Sequence, residues 1–290
     1  MQIHKFSDRV SVDELAGFYT LDGINLPKDR PYSWIMFVAT VDGRASFMEP
    51  GKYGGDVVAM SPLRGKIKEA HGSLADWRLL QYGWAQSDAI LGSASIVRTE
   101  TGQKWDVVEP DILRYRRENL GKKTDQPIKV VLTARGELSL REAIFTDENQ
   151  SVIIMTTDSG RNALEHTAAT LGDLNPFMRN RNRVEIHSMP GEKVDPAKVA
   201  EYLRTVKGVE YLDITGGPQI SGAFLNSRIV DEHRITIAPQ IIGDRNSTKK
   251  ERPTTIAGIS KDTENAVLLE LRDLGFLGSH IFARYHISKD

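Results

Sequence analysis

The chain has 290 residues, 40% hydrophobic and 27% charged, the composition of a globular protein with length enough for one large core or two small ones. Its formal net charge of −1 gives no basic excess, so neither nucleic acid nor a membrane surface is expected as a partner. The absence of cysteine excludes disulfides, thiolate catalysis and cysteine-held metal sites.

The start, MQIHKFSDRV, has no apolar run of the secretory kind, and no stretch reaches the roughly 20 apolar residues of a membrane span, so a cytoplasmic protein is expected. Val12–Tyr19 reads as an amphipathic helix capped by Ser11. It lies in residues 1–30, an N-terminal extension packing on a domain of residues 31–290. Ser33–Thr40 is nearly all apolar, as a central strand buried on both faces should be. It runs into Asp42-Gly43-Arg44, a carboxylate and a guanidinium at a strand end, where α/β folds bind ligands. Asp-Gly is also an ordinary turn. Gly51, Gly54 and Gly55 mark a loop, and Ser61-Pro62 opens one or two helices reaching Gln86, with a break at Gly72-Ser73. Leu74, Trp77, Leu80 and Trp84 fall near helical spacing, a core stripe more than a stacking platform.

Asp88–Leu91 is a short strand, and Gly92-Ser93-Ala94-Ser95 opens the next helix, leaving backbone N–H groups for a phosphate or polar ligand. Gln103–Gln126 is charged and reads as a solvated face. Ile128–Thr133 and Val152–Thr157 are strands ending in hydroxyls, and Arg135 follows the first, a combination able to hold a 2′-phosphate. Then come a helix at Gly160–Leu171, a basic turn at Arg179–Arg183, a strand at Val184–Ser188 and an Asp195-capped helix reaching Val206. Tyr211–Ile214 is a buried strand that breaks at Gly216-Gly217-Pro218, with Ile220, Ala223 and Phe224 at helical spacing beyond. Paired glycines suit either a plain tight turn or the approach of a ligand to the backbone. A strand at Glu232–Ile242 and a polar loop at Asp244–Pro253 follow, and Ala266–Leu274 with His280–Ile287 makes a hairpin.

Thr215-Gly216-Gly217-Pro218, Gly222-Ala223-Phe224-Leu225, Ile229-Val230-Asp231-Glu232 and Ile237-Ala238-Pro239-Gln240-Ile241-Ile242-Gly243 follow one another without a gap. This order resembles the C-terminal signature of the riboflavin-pathway reductases. The segments Thr40-Val41-Asp42-Gly43-Arg44 and Asp88–Arg98 resemble two further motifs of that family. Thr215 stands where the family usually carries glutamate, Ile96 where it carries threonine, and Thr40 where it carries serine.

The resemblance implies a three-layer α/β/α dihydrofolate-reductase-like fold, with a mixed central sheet and an antiparallel C-terminal hairpin. It implies NADPH as hydride donor, held by Gly92, Ser93, Ser95, Ile96, Arg135, Thr156, Thr157, Thr215, Gly216, Gly217, Pro218, Gln219 and Ile220. The implied substrate is a ribosylamino-pyrimidinone 5′-phosphate, its ribose reduced to ribityl. Opening the sugar needs a proton on the ring oxygen. Asp42 is the first candidate for that acid or for orienting the substrate, and Glu100 the second; Thr40, Arg44 and Arg78 are the substrate-binding candidates. The family's habit implies a homodimer through strands near the C-terminus. A reductase of another heterocycle or carbonyl, and a non-catalytic ligand-binding relative, remain the alternatives. The histidines show no metal-ligand spacing, no Gly-x-Gly-x-x-Gly is present, and the deaminase motif of the pathway is impossible without cysteine.

Overall fold

The structure is a computed structural model, and it describes residues 1–48, 71–179 and 183–289. The loop at Gly51, Gly54 and Gly55, the Ser61-Pro62 helix start and the middle of the Arg179–Arg183 turn lie outside these residues. The strands are β1 (Gln2–Lys5), β2 (Tyr32–Thr40), β3 (Ala89–Ser93), β4 (Ile128–Thr133), β5 (Val152–Thr157), β6 (Val184–Met189), β7 (Tyr211–Ile214), β8 (Glu232–Ala238), β9 (Leu269–Leu277) and β10 (His280–Ile287). The helices are α1 (Val12–Phe18), α2 (His71–Gln86), α3 (Ala94–Thr99), α4 (Pro110–Glu118), α5 (Ala143–Thr146), α6 (Asp158–Ala169), α7 (Pro176–Arg179), α8 (Pro196–Thr205) and α9 (Pro218–Asn226).

All ten strands form one sheet in the order β1-β9-β10-β8-β2-β7-β3-β4-β5-β6. From β8 to β6 every neighbour is parallel, so these strands end on a common edge; β10 is antiparallel to both β8 and β9. The fold class implied by the resemblance, with its mixed sheet and C-terminal hairpin, is the one found. The parallel strands are apolar runs because helices cover both faces. Leu15, Phe18, Leu79, Tyr82, Ile112 and Leu164 pack on one face, and Val199, Leu203 and Phe224 of α8 and α9 on the other. At about 1.5–3 kcal/mol for each large side chain buried, these two layers fix where the strand ends lie.

Polar contacts set the alignment of the centre. Arg30 grips Asp231 with two parallel bonds of 2.7 and 2.8 Å, and Asp231 also accepts from the Ser33 N–H at 2.8 Å. This ties the start of β2 to the start of β8. Beneath α2, buried Arg234 pairs with Glu232 at 2.8 Å and lies over the rings of Trp34 and Tyr19, 4.1 and 4.2 Å from their centroids. Arg284 joins Glu232 at 2.5 Å and Asp273 at 3.3 Å, so the charges under the sheet are mutually compensated.

Several expectations are corrected. β8 ends at Ala238 and does not reach Ile242, because Pro239 has no N–H to donate and the Gln240 N–H turns back to the Ala238 carbonyl. Gly72 and Ser73 lie in the first described turn of α2, so the expected break there falls at the edge of the described residues; a Cβ on Gly72 would fall 2.0 Å from the His280 ring. The first hairpin strand is Leu269–Leu277, three residues beyond its expected position. Arg116 in the charged stretch is buried, donating to the Ala85 and Ser87 carbonyls at 2.7 and 2.6 Å where α2 ends. The extension contributes β1, paired in parallel with β9, and its Phe6 and Phe18 enter the core.

Candidate active site at the strand ends

The parallel strands deliver most of the candidate residues to one edge of the sheet. At the end of β2 the chain closes a tight loop: the Gly43 N–H donates to the Thr40 carbonyl at 2.8 Å, and the Arg44 N–H to the buried Thr40 hydroxyl at 2.9 Å. Gly43 has φ +78°, a conformation glycine adopts without strain. Asp42 stands at the tip and accepts from the Gly243 N–H at 2.8 Å and the Ile242 N–H at 3.3 Å. The Asp42-Gly43-Arg44 segment and the Ile241-Ile242-Gly243 run are thereby joined, although 200 residues separate them in sequence. Burial raises the Asp42 pKa, but the Thr40 hydroxyl and the Gly243 and Ile242 N–H groups outweigh it, and the carboxyl sits below its usual value. Arg44 reaches the Arg252 carbonyl at 3.3 Å and bridges to Thr254, so its loop is strapped to the segment after β8.

The two glycine-serine turns meet. At β3–α3, Ser93 caps its helix by accepting from the Ile96 N–H at 3.3 Å, while Ser95 faces solvent. At β7–α9, Gly217 is the N-cap with φ +80°, and among the described residues no side chain caps the helix. A Cβ on Gly217 would meet only Ile96, at 3.7 Å, so its backbone is open to an approaching group. Gly216 differs: a Cβ there would strike Ile220 at 2.3 Å. Gly92 is closed as well, since the Trp105 ring lies 2.3 Å from its missing Cβ; it is glycine to admit an indole. Pro218 and Gln219 touch the strap, where the Ala257 N–H donates to the Pro218 carbonyl at 3.1 Å and Gln219 fills the space beside Gly258.

Further along the edge, Thr157 caps α6 through the Gly160 N–H at 3.1 Å and donates to the Ala134 carbonyl at 2.6 Å. Its hydroxyl serves the local fold. The hydroxyl of Thr156 is buried and unpartnered. Arg135 is exposed and, among the described residues, pairs with Glu137 at 3.6 Å, a contact worth little in water. Glu100 caps the end of α3, half-buried, and burial pushes its pKa above the usual carboxylate value.

Arg78 is not with the others. Its guanidinium donates to the Val10 carbonyl at 2.7 Å and pairs with Asp111 at 2.5 Å and Glu109 at 3.1 Å, on the seam of α2 with α4. Of the expected core stripe, Trp84 is buried and Leu80 packs half-buried against the core, but Leu74 is 57% exposed and Trp77 is half-buried, donating to Glu109 at 2.8 Å and meeting Trp84 edge to face at 6.4 Å. Trp84 also donates to the Thr215 hydroxyl at 3.3 Å. That contact, and fully buried Asp213 beneath it, had no signal in the sequence beyond a carboxylate inside an apolar strand. Among the described residues no group of three or more His, Asp or Glu side chains could hold a metal ion.

With this geometry in hand, comparisons with known proteins are informative. Residues 19–273 match the sequence family of the RibD C-terminal domain. The 2,5-diamino-6-ribosylamino-4(3H)-pyrimidinone 5′-phosphate reductase of Archaeoglobus fulgidus is 26% identical over 218 residues, covering 75% of this chain and 84% of that protein. Among solved structures, a pyrimidine reductase-like protein of Corynebacterium diphtheriae superposes with a TM-score of 0.64 at 21% identity, covering 95% of this chain and 99% of that one. Acinetobacter baumannii RibD does so with a TM-score of 0.61 at 18% identity over 90% of this chain, which spans 59% of the RibD chain. The structural likenesses carry the fold alone.

Proposed function

From membership of the RibD C-terminal domain family, to which this chain belongs, we propose that it is the pyrimidinone phosphate reductase of riboflavin biosynthesis. In this reading it reduces the ribose of a 2,5-diamino-6-ribosylamino-4(3H)-pyrimidinone 5′-phosphate to ribityl, with NADPH as donor. The observation that carries the proposal is the meeting of the two turns at the strand ends, Ile96 against the open, φ-positive backbone of Gly217.

The residues fit a dinucleotide phosphate. Gly217 admits a backbone approach, the α9 N–H groups have no side-chain cap, and Arg135 is exposed with only a weak partner. A nicotinamide cofactor bound there supplies a hydride for C1′ of the sugar. The chain's own task is to hold the pyrimidine ribosylamine at the same edge and to bring a proton to its ring oxygen as the C1′–O4′ bond opens. Glu100 fits the proton-holding role, because burial keeps its carboxyl protonated toward higher pH. Asp42, held low by its hydrogen bonds, fits orientation of the substrate as an ionised acceptor. Arg44, whose loop is fixed by Thr40 and the strap, is the guanidinium for the substrate phosphate.

A cytoplasmic homodimer belongs to the same proposal. α1 and α2 cover one face of β8, β9 and β10, and on the opposite face of these strands Ile235, Ile237, Leu274, Phe276 and Ile281 are half-buried. Sedimentation of the purified chain as a monomer at micromolar concentration would remove this part. The cofactor assignment is tested by fluorescence titration: NADPH should bind more tightly than NADH by roughly ten- to hundredfold, the scale of one charge-assisted contact. Equal affinities, or no binding of either, would count against it.

A further inference from the structure

Asp213 lies in β7, the strand between β2 and β3, and has 0% exposure. Each of its oxygens has one donor: Trp34 Nε1 reaches Oδ2 at 2.7 Å and the Thr215 hydroxyl reaches Oδ1 at 2.6 Å. Trp84 Nε1 donates in turn to Thr215 at 3.3 Å. α2 comes close enough to enclose this pair because residue 83 is glycine; a Cβ there would fall 2.4 Å from Met36 Sδ and 3.3 Å from Asp213 Oδ2. No described cation forms an ion pair with Asp213. A carboxylate buried without such a partner is costly, and the pair here ends on half-buried Thr215 beside the Gly-Gly-Pro turn.

The chemistry of the pair is directional. Ionised Asp213 can only accept, so it takes the Thr215 proton, and Thr215, already accepting from Trp84, shows the site a lone pair. Protonated Asp213 donates to Thr215 instead, and the hydroxyl proton is released outward. We propose that Asp213 is a positioning residue for the reductase: it decides whether the Thr215 hydroxyl meets the sugar as a hydrogen-bond donor or as an acceptor, and the donor form is the productive one. This rests on the reductase reading above. The donor suits a ring oxygen gaining electron density as C1′–O4′ opens; Thr215 polarises that oxygen and transfers no proton.

The neighbours allow Asp213 to change charge. Burial pushes its pKa up to about 6, against the pull of Thr215, Trp34 and the field of Arg234. Arg234 on β8 is paired with Glu232, which also serves Arg284 of β10; Asp76 on α2 is bonded to Thr236, and Tyr19 beyond α1 lies over Arg234. β3 presents Ile90 opposite Asp213 and adds no charge.

Two measurements on the full chain test this. In ligand-free protein, indole fluorescence should show a transition near pH 6 that Asp213→Asn abolishes; a flat wild-type profile overturns the proposal whatever the substrate. In turnover of the ribosylamino-pyrimidinone phosphate, wild-type kcat/KM should fall about tenfold over two pH units above that point, the scale of one hydrogen bond. Asp213→Asn, whose amide donates to Thr215 at every pH, should flatten the decline. Thr215→Val should lose about tenfold in kcat/KM, chiefly in kcat, and Thr215→Ser should recover most of the loss. If Asp213→Asn does not fold, the Thr215 pair carries the test. Coincident wild-type and Asp213→Asn profiles, or wild-type turnover in Thr215→Val, overturn this inference alone. A wild-type protein that binds NADPH and never turns over takes the reductase reading down as well.

Discussion

Asp42 and Gly217 show how one side chain, or the lack of one, shapes the site. Asp42 is an ionised acceptor that two backbone N–H groups hold against the segment after β8. Asp42→Asn keeps the shape but loses the charge, so NADPH affinity should stay within about threefold while turnover drops about 10²-fold, the scale of a group acting in the transition state. A change confined to KM, read from steady-state kinetics, would assign Asp42 to substrate binding alone. Gly217 needs its glycine for φ +80° and for an open approach. Gly217→Val should weaken NADPH by more than about tenfold while circular dichroism stays native; unchanged affinity would make the turn a purely structural one. The sequence displayed both residues plainly, because each stands in a short motif. It could not display why Gly92 is glycine or what Thr215 touches, since Trp105 and Trp84 reach them only through the folded chain.

The elements that carry these residues were mostly legible, because strands buried between two helix layers read as apolar runs and helices announce their caps. Ser11 is an example: it accepts from the Glu14 N–H at 3.3 Å while Glu14 returns a bond of 2.7 Å to the Ser11 N–H, a capping box. Ser11→Ala should lower stability by about 1 kcal/mol, measured as the urea midpoint, without touching cofactor binding. What periodicity missed were β1, four residues of exposed or half-exposed edge strand, and the segment from Pro239 to Val267, where only isolated bridges form. Within it Asp244–Pro253 reads as a charged loop and is one, yet the segment packs on the Asp42 turn and on α9. A Cβ on Gly222 would fall 1.9 Å from the Ala257 carbonyl oxygen, so Gly222→Ala must push the two apart. Weaker NADPH binding in Gly222→Ala, with stability lowered by about 1–3 kcal/mol, would show that the strap sets the position of the helix start. Just beyond β4, Arg135→Ala should narrow the gap between NADPH and NADH if its exposed guanidinium meets the 2′-phosphate.

At the scale of the whole molecule, buried charge makes stability depend on pH in two opposite ways. Burial raises the Glu232 pKa, but Arg234 and Arg284 outweigh it and hold the carboxyl at about 2 against an ordinary 4.5. Its folded value is lower than its unfolded one, so its contribution is complete above about pH 4.5 and is lost as pH falls toward 2. Glu232→Gln leaves two buried guanidinium groups without their shared anion and should cost about 3–5 kcal/mol at neutral pH, read from denaturant midpoints. Asp213 has the other sign: its folded value near 6 exceeds the ordinary 3.8, so stability falls as pH rises between them. Asp213→Asn should therefore be no less stable than the wild type at pH 7. The mixed sheet and its C-terminal hairpin were legible, but the strand order and the charge network under α2 were not, because both join residues far apart in sequence. The central claim is a reductase acting at that common edge, and it is tested most directly by mixing the purified chain with NADPH and the ribosylamino-pyrimidinone 5′-phosphate. NADPH should be consumed one for one with formation of the ribityl product, identified by mass spectrometry. Tight NADPH binding with no consumption, in a correctly folded protein, would contradict it.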